Sequence, residues 1–398
     1  MKKRNLVPDG WGVATLAEVA EISPSSKVSL QPEDEVSFAA MADVSEEGRF
    51  KRLQKRTLAQ VRSGFTSFQN GDVLVAKITP CFENGKGALA ENLLNGFGFG
   101  STEFHVLRPR PDVDPLFLFY QTRTSRFRKA GENCMEGSAG QKRVPASFFK
   151  TYKIFVPPLH EQTKIAEVLR ILGNEIENTE RTIHLKNHLK RGLMQQLLSG
   201  RKRITEFSDL EWKQVRLGDV SAESKLRNDG SLTTESLKAV TKLQGMIPMK
   251  ERVRGESVER CKVVRKDWFA YNPMRLNIGS IARWRGDEDV MVSPDYVVFR
   301  CDESKLDPSF LDHLRRTHQW REFVESSGDG SVRVRIWYSH LAHFKFHLPP
   351  LEEQHRIAAV LNACDKEITL LKQQLDALKR QKRGLMQKLL TGQIRVKV

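Results

Sequence analysis

PDYVVFRCDESK, from Pro294 to Lys305, is the stretch that comes nearest to a hydrolytic centre. Asp295 and Glu303 could hold a divalent cation and Lys305 could orient the attacking water of a metal-dependent nuclease. The pattern is short and degenerate, and its earlier counterpart STEFHVLRPRP has no acidic partner and no lysine. Other chemistry is less well supplied. YNPM, from Tyr271 to Met274, lacks the second proline and the aromatic with which an adenine methyltransferase grips an exocyclic amine, and reads as a turn after a strand. NGFGFG, from Asn95 to Gly100, is not G-x-G-x-x-G and has no helix after it, so no nucleotide or S-adenosylmethionine cradle is supported; a Walker A sequence is absent. His313 and His318 stand on a helix-like stretch without the H-E-x-x-H spacing of a zinc hydrolase. The five cysteines form no C-x-x-C pair, so neither a disulfide framework nor a zinc knuckle is indicated, and they read as reduced thiols in a cytosolic protein. No cofactor and no metal is expected.

Chemistry of recognition is better represented. A formal net charge of +16 points to a polyanionic partner, of which nucleic acid is the commonest for a soluble protein. Basic and amide side chains crowd into turn-like stretches: Lys77, Lys86, Gln141, Lys142 and Arg143 early, then Arg275, Arg283, Arg285, Arg333 and Arg335. An arginine can bond guanine bidentately and a glutamine can bond adenine, while lysine mostly meets phosphate. Taken singly, each reads first as a solvated surface charge rather than as a DNA contact. The clusters at 141–143 and 333–335 stand apart because they occupy equivalent places in an internal duplication.

That duplication orders the chain. KRGLMQQLLSG (Lys190 to Gly200) returns as KRGLMQKLLTG (Lys382 to Gly392), and PPLHEQTKIAEVL (Pro157 to Leu169) as PPLEEQHRIAAVL (Pro349 to Leu361), both 192 positions later. The register holds as far as Arg203 over Arg395. Upstream the likeness fades but persists, with GSTEFHVLR over VSPDYVVFR, and WGVATLAEV at Trp11 over WKQVRLGDV at Trp212 at an offset of 201. The first copy therefore carries about nine extra residues.

The well-matched part is helical. In the second copy Leu361, Cys364, Ile368, Leu371, Leu375, Leu378, Leu385 and Leu389 recur at alternating threes and fours, broken only by Lys382, as in a coiled-coil seam. In the first copy Thr179, Lys186 and Lys190 interrupt the same seam. Paired prolines mark the helix starts and Gly200 and Gly392 stand at the capping positions. A helix of about 40 residues spans about 60 Å. The first ends about a dozen residues before Trp212, so the second must run back antiparallel to bury its seam, relating the halves by a pseudo-two-fold axis. Between the helices, strand-like runs such as GDVLVAKITP, FHVLRPR and KIFVPP alternate with helical FLFYQTRTSRFRKA and FLDHLRRTHQWREFV, an α+β pattern. Residues 1–156 and 205–348 form two globular domains, with connector helices over 157–204 and 349–398. The basic N-terminus has no apolar core behind it, so neither export nor a membrane location is expected.

With this architecture, the P-P-L-x-E-Q helix starts, the K-R-G-L-M-Q phrase and GSAGQKRVP (Gly137 to Pro145), the sequence resembles the specificity subunit of type I restriction-modification systems. The resemblance covers essentially the whole chain. It implies two tandem target recognition domains separated by two long antiparallel coiled-coil helices, each domain reading one half of an asymmetric bipartite site in double-stranded DNA. It implies a non-catalytic subunit, with two modification subunits that methylate adenine N6 docked on the helices and two ATP-dependent restriction subunits joining later. On the matched motifs Glu161, Gln162, Arg191, Met194, Glu353, Gln354, Arg383 and Met386 are the expected contacts assembling the helices with one another and with the modification subunits. Gln141, Lys142, Arg143, Arg333 and Arg335 are the leading candidates for DNA contact. A metal-dependent endonuclease, or a coiled-coil scaffold without DNA contact, remain the alternatives.

Overall fold

A computed structural model of the chain describes residues 7–25, 28–138, 140–249, 258–327 and 335–397. Contacts divide the chain into two units, Met1–Glu180 with Gln374–Val398, and Arg181–Gln373, so the division falls within the long helices. Both units are built on the same scaffold. In the first, Gly12–Thr15 pairs antiparallel with Lys153–Val156; in the second, Lys213–Arg216 pairs with Lys345–Leu348. The chain thus enters and leaves each domain side by side. A single helical turn follows, Leu16–Val19 or Leu217–Val220, its first turn fixed by Glu18 or Asp219 accepting from the Thr15 or Arg216 amide.

Next comes a four-stranded antiparallel sheet. Its order is Ala20–Ile22, Phe104–Pro109, Val73–Ala76, Gly87–Leu89 in the first unit and Ser221–Ser224, Val297–Cys301, Phe269–Tyr271, Ile281–Arg283 in the second. The two orders are equivalent. The central strands are apolar on both faces, as VLVA at 73–76 shows by being buried throughout, because helices cover one face and further strands the other. Each helical stretch is interrupted: Pro115–Gln121 is followed by Ser125–Glu132, and Pro308–Leu314 by His318–Ser326. The cause is local. Asp114 and Asp307 cap the first helix of each pair with proline behind them, and the Thr124 and Thr317 hydroxyls accept the amides that start the second.

The units differ away from this scaffold, where the sequence likeness fades. The first has a further mixed sheet in the order Gln54–Thr57, Glu35–Ala39, Phe97–Gly100, Thr66–Gln69. Phe97–Gly100 of NGFGFG belongs to it as a strand, and its glycines let backbones close up: a Cβ on Gly98 would lie 2.2 Å from the Phe68 ring. The second unit has instead the hairpin Lys238–Thr241 with Gly245–Pro248, and the pair Lys262–Val264 with Val290–Val292.

The long helices are Leu159–Leu197 and Leu351–Leu389. Within each unit the start of one lies against the end of the other. Ile165, Ala166 and Leu169 share a core with Leu389 and Leu390, and Ile357, Ala358 and Leu361 with Leu197 and Leu198. The helices therefore pair antiparallel. The three polar seam residues are accommodated: the Thr179 hydroxyl donates to the Glu175 carbonyl at 2.8 Å, Lys186 pairs with Glu367 at 2.7 Å, and Lys190 pairs with Asp365. Gly200 and Gly392 take φ of 71° and 68° just past the helix ends, the left-handed conformation in which a helix terminates most easily on glycine.

One constellation occurs twice. Glu161, at the start of the first long helix, accepts Trp11 Nε1 at 3.0 Å and a fork of Arg395 Nε and Nη2 at 2.6 and 2.7 Å. Glu353, at the start of the second, accepts Trp212 Nε1 at 2.9 Å and Arg203 Nε and Nη2, both at 2.8 Å. In both, the guanidinium lies over the indole, 5.5 and 5.3 Å from the ring centroid. Each carboxylate thus joins the start of a domain, the start of one helix and the segment after the other. Gln162 and Gln354 work beside them, accepting the Asp114 and Asp307 amides and donating to the Pro157 and Pro349 carbonyls. Glu161, Gln162, Glu353 and Gln354 are buried and bonded within their own unit, so their side chains offer no surface to another subunit. Met194 and Met386 pack half-buried on the cores of their units, and Arg191 and Arg383 are exposed.

His313 lies against the second long helix, wholly buried, with Nε2 bonded to Asn362 Oδ1 at 3.0 Å. Because Asn362 Oδ1 is an acceptor, Nε2 carries the proton and Nδ1, which has no partner among the described residues, is left bare. Burial pushes the imidazole down to about 4.

Two outcomes are expected. Arg203→Ala, which strands a buried carboxylate, should cost the second unit about 3–5 kcal/mol in urea denaturation, and Arg203→Ala with Glu353→Leu should cost less than the single change. Additive losses would show that the pair is not coupled. The unfolded chain protonates His313 near its ordinary value while the folded chain does so only near 4, so stability falls with pH across that interval and levels off below it. The loss is up to roughly 3 kcal/mol, and His313→Gln should flatten that part of the pH–stability curve.

Candidate nucleic-acid interface

In the first unit the structure brings Lys77, Gln141, Lys142 and Arg143 together. The Val144 amide donates to the Lys77 carbonyl and the Thr79 amide to the Lys142 carbonyl, both at 2.9 Å, which lays residues 141–144 along the end of strand Val73–Ala76. Arg143 is held from both ends. Its backbone pairs with Glu136, and its guanidinium forks onto Glu103, Nη2 to Oε1 at 2.8 Å and Nε to Oε2 at 3.0 Å. That hydrogen bonding holds the Glu103 carboxyl below its ordinary range. Gln141 and Lys142 are exposed beside it. Lys86 differs: half-buried, its amine donates to the Met41 carbonyl at 3.1 Å within the domain.

In the second unit Arg333 falls outside the described residues, and Arg335 and Arg275 are exposed. Arg283 is a correction. Its side chain is only 10% exposed and pairs with Asp267 at 3.4 Å, because its place at the end of strand Ile281–Arg283 turns it inward, and burial pushes its guanidinium down. Two residues on, past the strand, Arg285 is 51% exposed and bonds Asp312 Oδ2 at 2.6 Å. Asp312 also takes Arg315 and Arg316, at 2.6 and 2.9 Å. Burial opposes its ionisation, yet the three guanidiniums hold its carboxyl well below the usual range. Three cations on one anion leave a net positive charge in the wall of a cleft of about 1000 Å³, bounded by residues 242–246 and 276–286, the helices from Asp312 to Glu325, and Asp365 and Thr369 of the long helix. At its rim Lys242 and Arg321 add charge, and Leu243 is 92% exposed.

The arrangement suits polyanion binding with arginine forks held in fixed orientation. Chemistry finds less support. Asp295 precedes strand Val297–Cys301 while Glu303 and Lys305 follow it, which sets them about 13 Å or more apart along the strand. Lys305 instead pairs with Asp302 at 3.0 Å. Among the described residues no three His, Cys, Asp or Glu side chains are grouped to hold a metal ion. His318 is exposed and meets Glu322, YNPM is the turn after strand Phe269–Tyr271, and all five cysteines are free. Among the described residues no helix is long and apolar enough to cross a membrane.

Sequence reasoning missed Asp312, Arg315 and Arg316. Their signal is a carboxylate at i with arginines at i+3 and i+4, which on one helix places three charges on one face. It missed the Trp11 and Trp212 anchors as well, although their shared position was visible.

The model of the type I restriction modification DNA specificity domain matches residues 8–187 and 277–380. The chain is 45% identical over 166 residues to the type I restriction enzyme EcoAI specificity subunit of Escherichia coli, a match covering 40% of this chain but only 27% of that protein. A putative type I restriction enzyme MjaX specificity subunit of Methanocaldococcus jannaschii is similar end to end, 23% identical over 98% of this chain and 95% of the relative. In fold the chain is similar to the type I S subunit of M. genitalium (TM-score 0.60, 14% identity, 98% of both chains). It is also similar to the HsdS subunit of Thermoanaerobacter tengcongensis (TM-score 0.50, 20% identity, 98% of both chains). With the family's domain matched over most of its length, on a duplicated scaffold that presents anchored arginines, this chain belongs to the type I restriction-modification DNA specificity subunits.

Proposed function

We propose that the chain is the non-catalytic DNA-reading subunit of a type I restriction-modification complex, each recognition domain reading one half of a bipartite, asymmetric target in double-stranded DNA. It directs an adenine-N6 methyltransferase and an ATP-dependent endonuclease to that target through two modification and two restriction subunits. The observation that carries this reading is that one scaffold, with the same strand order and the same carboxylate anchor, occurs twice with different distal parts. A duplicated frame with divergent reading surfaces is what two unlike half-sites require. The net charge of +16 supplies the attraction to phosphate. Arg143 and Arg285, oriented by Glu103 and Asp312, supply forks for bases, and Gln141 and Lys142 lie beside the first of them. The exposed Arg191 and Arg383 are the places on the helices where modification subunits dock.

The purified chain alone should transfer no methyl group, and with its modification subunits it should yield methylated adenines at a split motif. Methyl transfer by the lone chain would overturn the reading. Arg285→Ala should weaken binding to the cognate duplex by about 1–3 kcal/mol and relax the preference at one base pair, and Arg285→Lys should not restore it. Lys142→Ala should instead lower affinity for all duplexes alike and reduce the salt slope by about one. An unchanged affinity in either case removes that residue from the interface.

A further inference from the structure

The internal repeat exposes a charge that one unit neutralises and the other does not. In the second unit Lys190, 11% exposed, is paired with Asp365 across the helix seam, and Arg316 closes on the same carboxylate at 3.5 Å. The positions 192 residues away are Lys382 and Gly173, in the first unit. The lysine is kept and its carboxylate is missing. Lys382 stands where a partner would be: a Cβ on Gly173 would lie 2.9 Å from its Nζ. Instead it sits 5.3 Å from the centroid of the Tyr120 ring, a weak contact for a half-buried ammonium. The charges acting on it are cations, Arg123 and Arg49, and together with burial they push it down to about 8.

A cavity of about 400 Å³ opens beside it, walled by Arg49, Arg170, Asn174 and Tyr120. Three carboxylates also border it, but Glu177 is paired with Arg49, Glu47 is drawn to Arg49 and Arg123, and Glu91 is exposed. Arg123 itself donates to the Gly85 and Glu46 carbonyls. Among the described residues no carboxylate is paired with Lys382. Burying an ammonium without a partner is costly, and an arriving anion recovers that cost.

We propose that the cavity beside Lys382 is a binding site for a carboxylate supplied from outside the chain, doing in the first unit what Asp365 does in the second. The carboxylate comes either from a small free acid or from an acidic side chain of a docked protein. Only the second source rests on the reading given under Proposed function.

Reductive ¹³C-methylation of the lysines, with the Lys382 signal identified by its loss in Lys382→Arg, gives the titration midpoint directly. In chloride it should lie about two units below the other lysines. Acetate at matched ionic strength should raise it by at least one unit without moving the others, if small acids fill the site. Assembly with the modification subunits, without acetate, should raise it if a side chain does. Gly173→Asp should restore an ordinary midpoint and abolish both responses. A midpoint that answers to neither acetate nor assembly overturns the proposal, whether or not the lone chain methylates DNA. A rise with phosphate or duplex DNA but not with either carboxylate source also overturns it.

Discussion

A buried carboxylate at the start of each long helix sets the design on which the rest depends. Glu161 and Glu353 each receive an indole N–H from the segment that opens a domain and a guanidinium fork from the segment that follows the other helix. Hydrogen bonds of this charge-assisted kind are short and directional, and with the carboxylate itself buried they tolerate little displacement. In the first unit three segments distant in sequence are therefore fixed at one point, and in the second the single connector from Arg203 to Trp212 is fixed to the start of the other helix, so that in both the strand that enters the domain is held beside the strand that leaves it. Arg395 does for the first unit what Arg203 does for the second, although one lies at the end of the chain and the other at its middle. The duplication is thus closed by exchange, with each half completed by the segment following the other half's helix.

The fixed frame frees the distal parts to differ. The first domain adds a mixed sheet and the second a hairpin and a two-stranded pair, yet both hang on equivalent four-stranded sheets. The arginines that suit base recognition stand at the ends of frame strands, Arg143 beside the end of Val73–Ala76 and Arg285 just past Ile281–Arg283, and the acids that orient them lie close by: Asp312 on the short helix, Glu103 just before strand Phe104–Pro109. Rigid support for an exposed fork reduces the entropy lost when it meets a base. The two clefts show the same division of labour, since each lies between the edge of the sheet, the short helix and the long helix, but they are lined by different residues.

Much of this was legible before any coordinates. The repeated P-P-L-x-E-Q and K-R-G-L-M-Q phrases located both helices, because a coiled-coil seam and its caps leave a periodic trace. Connectivity alone required the antiparallel pairing. The resemblance marked Glu161 and Glu353 as contacts that assemble the helices, but their partners were not legible, since the tryptophan and the arginine are brought to each from elsewhere in the chain. The direction of Arg283 was misjudged for a related reason: the sequence does not show where its strand ends, and Arg283, its last residue, turns inward while Arg285, two residues past the strand, is exposed. The arginine cluster around Asp312 escaped notice because two adjacent arginines at the end of a helix seldom signal a buried acid before them, and the third, Arg285, is brought from another part of the chain.

The claim that each domain is locked by a segment from the far side of the duplication is tested most directly by hydrogen exchange on Arg395→Ala. Arg395 bonds the Glu161 carboxylate and the Asp9 carbonyl, both in the first unit, so its loss strands a carboxylate there. Amides of Gly12–Thr15, Lys153–Val156 and the first turns of helix Leu159–Leu197 should lose protection, while those of Lys213–Arg216 and Lys345–Leu348 keep theirs. Unchanged protection in the first unit, or an equal loss in both, would contradict the account.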